Sequence, residues 1–309
     1  MAYEQVYQGN MVEIFKISPY FYFRRANLPI RGQCNGAFIV GEREVVIVDA
    51  PPEGIEMLDE AEKLFHKPVT AVLLTHGHTD HIDGLPAWLE KDVTVYCNYR
   101  ILDRLVPEKA YLQAFSSMRG TCRANFTGVH DKINLYLADG KEGGIDIELF
   151  IMGDVMHSKG DMFVRVPALE LICTGDAVVE YQTTYFHGAD IRGWIYSLRQ
   201  LAQLQNKWIL PGHNPELLPY SYMTGFADYL SVIETCARIC FMRFHPELLG
   251  KTEEERFDSV TTDEVKVLVE EFFDERSKDV VFLEEKAGPV DARRVVRMTL
   301  WEFIREWIR

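Results

Sequence analysis

Val69-Thr-Ala-Val-Leu-Leu74 runs directly into Thr75-His-Gly-His-Thr-Asp-His-Ile-Asp-Gly84. The first six residues form a continuous, largely apolar run, the pattern of a strand buried on both faces. The ten that follow hold His76, His78, Asp80 and His81 within six positions. A tight turn at the end of a buried strand can aim several of these groups at one point, and neutral imidazole with carboxylate is the ligand chemistry of zinc, iron or manganese.

Upstream, Val12–Ile17, Tyr20–Phe23, Gly36–Val40 and Val45–Asp49 are rich in β-branched and aromatic residues and are separated by Pro, Gly or charged turns, which predicts short antiparallel strands. Helical periodicity over Glu53–Phe65, closed by Pro68, predicts the helix that leads into the Val69 strand. Downstream, strands are expected near Ile133–Leu137, Ile145–Ile151, Met162–Val166 and Leu169–Cys173. A helix over about Asp190–Gln205 and a strand at Trp208–Leu210 follow. Between the two blocks, Tyr99–His130 reads as largely helical and then irregular. Two strand-rich blocks, each closed by a helix and a further strand, suggest two sheets packed face to face with helices outside.

A dinuclear metal site needs more ligands than one turn supplies, and three candidates stand at strand-to-loop junctions. They are His157 in Met156-His-Ser-Lys-Gly160, Asp176 in Cys173-Thr-Gly-Asp176, and His213 in Ile209-Leu-Pro-Gly-His213. Each alone is more often a structural residue, whereas the ordered set together with the cluster is specific.

The order His76-x-His78-x-Asp80-His81, His157, Asp176, Pro-Gly-His213 resembles the metallo-β-lactamase superfamily of metal-dependent hydrolases over roughly Val12–Pro215. The resemblance implies an α/β fold, a four-layer αβ/βα sandwich with metals at one edge between two sheets. It further implies that His76, His78 and His157 hold a first metal, that Asp80, His81 and His213 hold a second, and that Asp176 bridges the two. Asp49 matches a carboxylate that orients a ligand histidine. Two divalent ions, zinc as the usual occupant with iron or manganese as alternatives, would bring a bridging water near neutrality as hydroxide. That hydroxide would attack an ester, thioester, lactone or amide carbonyl, and Asp80 could carry a proton to the leaving group.

His78 stands where diiron electron-transfer members carry glutamate, which sides with the hydrolases. True β-lactamases are disfavoured, because Asp176 occupies the place of a cysteine ligand and Ala177-Val-Val-Glu180 lacks the expected lysine. Tyr181 and Tyr185, in the loop after Asp176, could hydrogen-bond a reacting carbonyl, and His187 could support a ligand. Packing is the competing role for all three. The alternatives to a hydrolase are a mononuclear-iron sulfur dioxygenase, a phosphodiesterase or nuclease, and a non-catalytic metal-bearing sensor.

Charge separates some of these. The chain has 309 residues, with 33 Lys+Arg against 47 Asp+Glu, so its formal charge is −14 at pH 7. So acidic a chain, with no long basic stripe, repels phosphate backbones and opposes a nucleic-acid partner. A small-molecule substrate is expected instead. The hydrophobic share of 47% is that of a globular protein. No run approaches the roughly 18 apolar residues that span a bilayer. Without a secretory leader pattern, the expected location is the cytoplasm, and Cys34, Cys97, Cys122, Cys173, Cys236 and Cys240 are expected to be reduced. The composition shift at Pro219 divides a catalytic domain, residues 1–218, from a helical extension, residues 219–309. In the extension, helices are predicted over Phe226–Phe244, Thr262–Phe273 and Asp291–Ile308, as a cap over the site or a homodimer interface.

Overall fold

The computed structural model describes residues 3–26, 34–52, 54–89, 91–105, 125–138, 144–153, 155–179 and 189–248. Two compact units divide the chain. The first comprises Met1–Asp154, Ser158–Val178 and Leu204–Tyr220, and the second comprises Val155–His157, Val179–Gln203 and Ser221–Arg309.

In the first unit, β1 (Glu4–Gln8), β2 (Val12–Ser18), β3 (Phe21–Ala26), β4 (Gly36–Val40) and β5 (Val45–Val48) pair antiparallel in chain order. Each connection is shorter than the dozen or so residues that a crossover to a parallel neighbour requires. That crossover is α1 (Gly54–Phe65), after which β6 (Val69–Leu73), β7 (Thr94–Asn98) and β8 (Asn125–Val129) continue the sheet in parallel to make eight strands. Strand β8 corrects the irregular reading of the end of Tyr99–His130. Only α4 (Tyr99–Leu105) is a helix among that stretch's described residues.

The second sheet has six strands in the order β14-β13-β12-β11-β10-β9. They are β9 (Lys132–Leu137), β10 (Ile145–Phe150), β11 (Phe163–Val166), β12 (Leu171–Gly175), β13 (Trp208–Pro211) and β14 (Leu218–Pro219). The β12–β13 pair is parallel, with Cys173 opposite Leu210. Both sheets are therefore mixed, each with a parallel pair whose strand ends reach the same kind of edge.

Side-chain alternation assigns the faces. On β4, β5 and β6, Ala37, Ile39, Val46, Val48, Ala71 and Leu73 join Ile145, Ile147, Leu149, Val164 and Leu171 of the other sheet in one buried core. The residues between them, Phe38, Val40, Val45, Ile47, Val72 and Leu74, form a second core with Ala61, Trp88 and Ile101 from helices outside the sheet. A strand buried on both faces must be apolar at consecutive positions, and this is why β4 to β6 were legible as unbroken runs. Two short helices, α2 (Thr79–Ile82) and α3 (Pro86–Leu89), follow β6.

The second unit contains α5 (Ile191–Leu201) and α6 (Tyr222–Leu248). Asp190 caps α5, its carboxylate accepting the Arg192 backbone N–H at 3.0 Å. Trp194 meets Phe226 of α6 edge to face at 5.9 Å between centroids, and Arg199 and Asp228 pair at 2.9 Å. Helix α6 contains the predicted Phe226–Phe244 segment, while the helices predicted over 262–273 and 291–308 lie outside the described residues. Cys34, Cys97, Cys173 and Cys236 are buried. Among the described residues no helix is long and apolar enough to cross a membrane.

Candidate metal centre

Strands β5, β6, β12 and β13 end at one place, and each delivers a polar side chain there: Asp49 after β5, Thr75 and His76 after β6, Asp176 after β12 and His213 after β13. Helix α2 adds Asp80 and His81, with His78 as the extended residue that precedes it. The turn is held to the end of β5 by hydrogen bonds from Ala50 N to His81 O, 2.8 Å, and from Gly84 N to Ala50 O, 2.9 Å.

Two overlapping groups of ligand atoms result. One atom each from Asp80, His81, Asp176 and His213 lie within 4.8 Å of one another, and so do atoms from His76, His78 and Asp176. Asp176 belongs to both. Its Oδ1 stands 3.3 Å from Nε2 of both His81 and His213, and its Oδ2 stands 3.9 Å from His76 Nε2. Asp80 Oδ2 lies 3.0 Å from His213 Nε2, and His76 Nε2 lies 3.0 Å from His78 Nδ1.

Asp49 faces His81 from the other side. Its Oδ2 is 2.9 Å from His81 Nδ1, and Oδ1 accepts the Thr75 backbone N–H at 2.7 Å. Asp49 has φ 62°, in the left-handed region that costs a residue with a Cβ about 1–2 kcal/mol. That strained strand end is compensated by three hydrogen bonds, the third from the Thr75 hydroxyl to Oδ2 at 2.9 Å.

Charge is strongly coupled within the cluster. Burial opposes ionisation of Asp176, but His213 and His81 outweigh it and hold the carboxyl well below its ordinary range. Burial likewise works against the Asp80 carboxylate, and the hydrogen bond from His213 with the charge of His81 brings its pKa below the usual value. For His213, desolvation disfavours the imidazolium, yet Asp176 and Asp80 raise its pKa to about 9. His81 is raised well above normal against the same burial, by Cys34, Asp49 and Asp176. A group of buried carboxylates that pulls protons onto its histidines is a group that favours cations.

The residues fit a divalent ion. His81 Nε2 is buried without a hydrogen bond of good geometry, while Nδ1 is committed to Asp49, which leaves the Nε2 lone pair facing Asp80 and Asp176. Imidazole nitrogen with carboxylate oxygen suits zinc, iron or manganese. Space is kept by two glycines. A Cβ on Gly212 would fall 2.2 Å from Asp176 Oδ1, and one on Gly175, at φ 51°, would fall 2.4 Å from Thr75 Oγ1.

Of the residues expected at the site, His76, His78, Asp80, His81, Asp176, His213 and Asp49 converge. His157 belongs to the second unit, where its ring stands 5.3 Å from Trp194. The loop after it, in the first unit, is closed by Asp161, which accepts from Ser158 N at 2.8 Å and Ser158 Oγ at 3.0 Å. Tyr181, Tyr185 and His187 lie outside the described residues. Sequence reasoning missed Thr75, Gly175, Gly212 and Asn35. Asn35 Nδ2 donates to the carbonyls of Pro211, 3.1 Å, and Asn214, 2.6 Å, bracing the turn that carries His213. For Thr75, Gly175 and Gly212 the signal in the sequence was a position directly before a ligand, and Asn35 had none.

The chain belongs to the metallo-beta-lactamase superfamily, whose family profile matches residues 29–213. It is similar to a probable metallo-hydrolase of Bacillus subtilis, YqgX, with 27% identity over 192 residues, covering 60% of this chain and 86% of that protein. A probable metallo-hydrolase of Streptococcus pyogenes, M6_Spy0554, is 27% identical over 196 residues, covering 59% and 79%. Among solved structures, a metallo-beta-lactamase from Pontibacter korlensis superposes with a TM-score of 0.55 at 22% identity, covering 71% of this chain and 99% of that one. The match to a metallo-beta-lactamase from Erythrobacter litoralis has the same TM-score, 0.55, at 18% identity, covering 72% and 98%. These likenesses establish the αβ/βα sandwich for this chain.

Proposed function

We propose that the protein is a metal-dependent hydrolase that cleaves an ester, thioester or lactone bond in a small molecule at a centre of two divalent ions, with zinc as the first choice. The observation that carries this reading is the shared carboxylate: Asp176 faces His81 and His213 with one oxygen and His76 with the other. Similarity to proteins described as probable metallo-hydrolases supports a hydrolytic reaction.

His76, His78 and Asp176 would hold one ion, completed by His157, which is assigned from its place in the order of motifs. Asp80, His81, His213 and Asp176 would hold the other. Ions bound there supply Lewis acidity and a water acidic enough to serve as a nucleophile near neutral pH. Asp49 would fix the His81 ring by accepting a hydrogen bond from its Nδ1–H. Asp80, partly open to solvent and hydrogen-bonded to His213, would take up the proton released as that water attacks and pass it to the leaving group. Tyr181, Tyr185 and His187 are proposed to contact substrate. The acidic surface keeps polyanions away, so a small substrate in the cytoplasm fits better than nucleic acid. We assign residues 1–218 to catalysis and residues 219–309 to a cap or dimer contact.

The test is metal analysis followed by a panel of thioesters, lactones, phosphodiesters and sulfate esters against zinc-, iron- and manganese-loaded protein. Turnover of a carboxylic ester, thioester or lactone that disappears on chelation and returns with metal is the expected result. Full activity after stripping, oxygen consumption during turnover, or binding of two ions with no turnover across the panel would each contradict it.

A further inference from the structure

The hydroxyl of Thr75 touches both ligand groups. Its oxygen lies 2.9 Å from Asp49 Oδ2, 3.2 Å from His76 Nδ1 and 3.4 Å from His81 Nδ1. A hydroxyl has one hydrogen to give and two lone pairs with which to accept. The Asp49 carboxylate can only accept, so the single Thr75 hydrogen goes to Oδ2, the closest partner. His81 Nδ1 also donates to Oδ2, at 2.9 Å. What the hydroxyl has left to offer His76 is a lone pair, and His76 can use it only by carrying its own hydrogen on Nδ1. Nε2 of His76 is then bare, and Nε2 is the atom that faces His78 and Asp176.

We propose that Thr75 is a positioning residue that ties the two candidate ion sites together, fixing His76 in its Nδ1–H form directly while orienting the Asp49 carboxylate that fixes His81. Its own orientation is enforced independently. Thr75 is 1% exposed, its backbone N–H is bound to Asp49 Oδ1, and Gly175 leaves the space beside its side chain that a Cβ would fill, 2.4 Å from the hydroxyl oxygen. One side chain therefore controls which nitrogen is presented by one imidazole of each set. A supporting hydrogen bond of this kind is typically worth about 10–100-fold in metal affinity.

The inference rests on the two-ion reading above, and the experiment separates the two. Binding of Zn2+ is measured by chelator competition for the unaltered protein, Thr75→Val and Thr75→Ser, alongside 15N imidazole shifts of the metal-free unaltered protein. The expected outcome is two ions in the unaltered protein, with one of them weakened about 10–100-fold in Thr75→Val, the other changed less, and both restored in Thr75→Ser. The His76 shifts should report a hydrogen on Nδ1. With the shifts read at a pH where the ring is neutral, a His76 hydrogen on Nε2, or Thr75→Val binding both ions as tightly as the unaltered protein, would overturn the role of Thr75. The nitrogen shifts decide this even if the valine variant does not fold. Fewer than two ions in the unaltered protein would instead contradict the two-ion reading itself.

Discussion

Two groups of buried charge lie in the first unit, and they are built on opposite plans. Arg24 of β3 and Glu60 of α1 form a pair with Nε and Oε2 3.2 Å apart and side chains 0% and 1% exposed. One cation meets one anion. At the strand ends, by contrast, Asp49, Asp80 and Asp176 face imidazoles, so with neutral histidines the cluster carries three negative charges and nitrogen lone pairs aimed inward. The first arrangement balances its charge one to one, even though the Arg24 Nη atoms are buried without a hydrogen bond, while the second is balanced only with protons or metal. A folded chain tolerates such a surplus where a ligand is meant to balance it.

The sharpest way to break this contrast is to remove the carboxylate shared by both ligand groups. Asp176→Asn should lower zinc affinity and turnover by at least about a thousandfold, since even a supporting residue is worth about 10–100-fold. The metal-free protein should still fold but melt earlier, because His213 and His81 hold Asp176 ionised and that stabilisation is lost with the carboxylate. Metal content after dialysis, with a melting curve of the stripped protein, checks both halves.

The Arg24–Glu60 pair should answer oppositely. Arg24→Met alone is expected to cost about 3–5 kcal/mol in denaturant unfolding by removing the cation that balances the buried Glu60 carboxylate, whereas Arg24→Met with Glu60→Leu should recover most of the loss. Neither change should alter the number of ions bound. If the double variant is as unstable as the single one, the pair is doing more than neutralising itself.

A further prediction concerns pH. In the metal-free protein His213 has its pKa raised to about 9, above the ordinary value of 6.5. Its contribution to metal-free stability is therefore fully present below about pH 6.5 and is lost as pH rises through about 9. Zinc competes with that same proton, so apparent affinity should climb by about tenfold per pH unit up to about pH 9 and then flatten. Chelator competition from pH 6 to 10 measures the slope, and an affinity independent of pH would contradict it.

How much of this was legible in the sequence follows from the range of the interactions. Strands β4 to β6 announced themselves because burial on both faces demands unbroken apolar residues. Strand β8, Asn125-Phe-Thr-Gly-Val129, did not, since its identity depends on parallel pairing with β7 across a long separation, Val95 opposite Phe126. Gly128 has its own reason to interrupt the pattern: a Cβ there would lie 3.1 Å from the Tyr99 Cα. The edge strand β1 was also missed, its five residues being mostly polar. At the site, His76, His78, Asp80 and His81 were legible because one turn carries them all. Thr75, Gly175, Gly212 and Asn35 were not, because what they contribute is a hydrogen-bond direction or an absence of atoms, and neither has a sequence signature.

The central claim is that one carboxylate, Asp176, serves two ions. Anomalous diffraction from crystals grown with zinc tests it most directly. Two peaks are expected, one against His76 and His78 and the other against Asp80, His81 and His213, with Asp176 in contact with both. A single peak, or two peaks of which Asp176 touches only one, would contradict it.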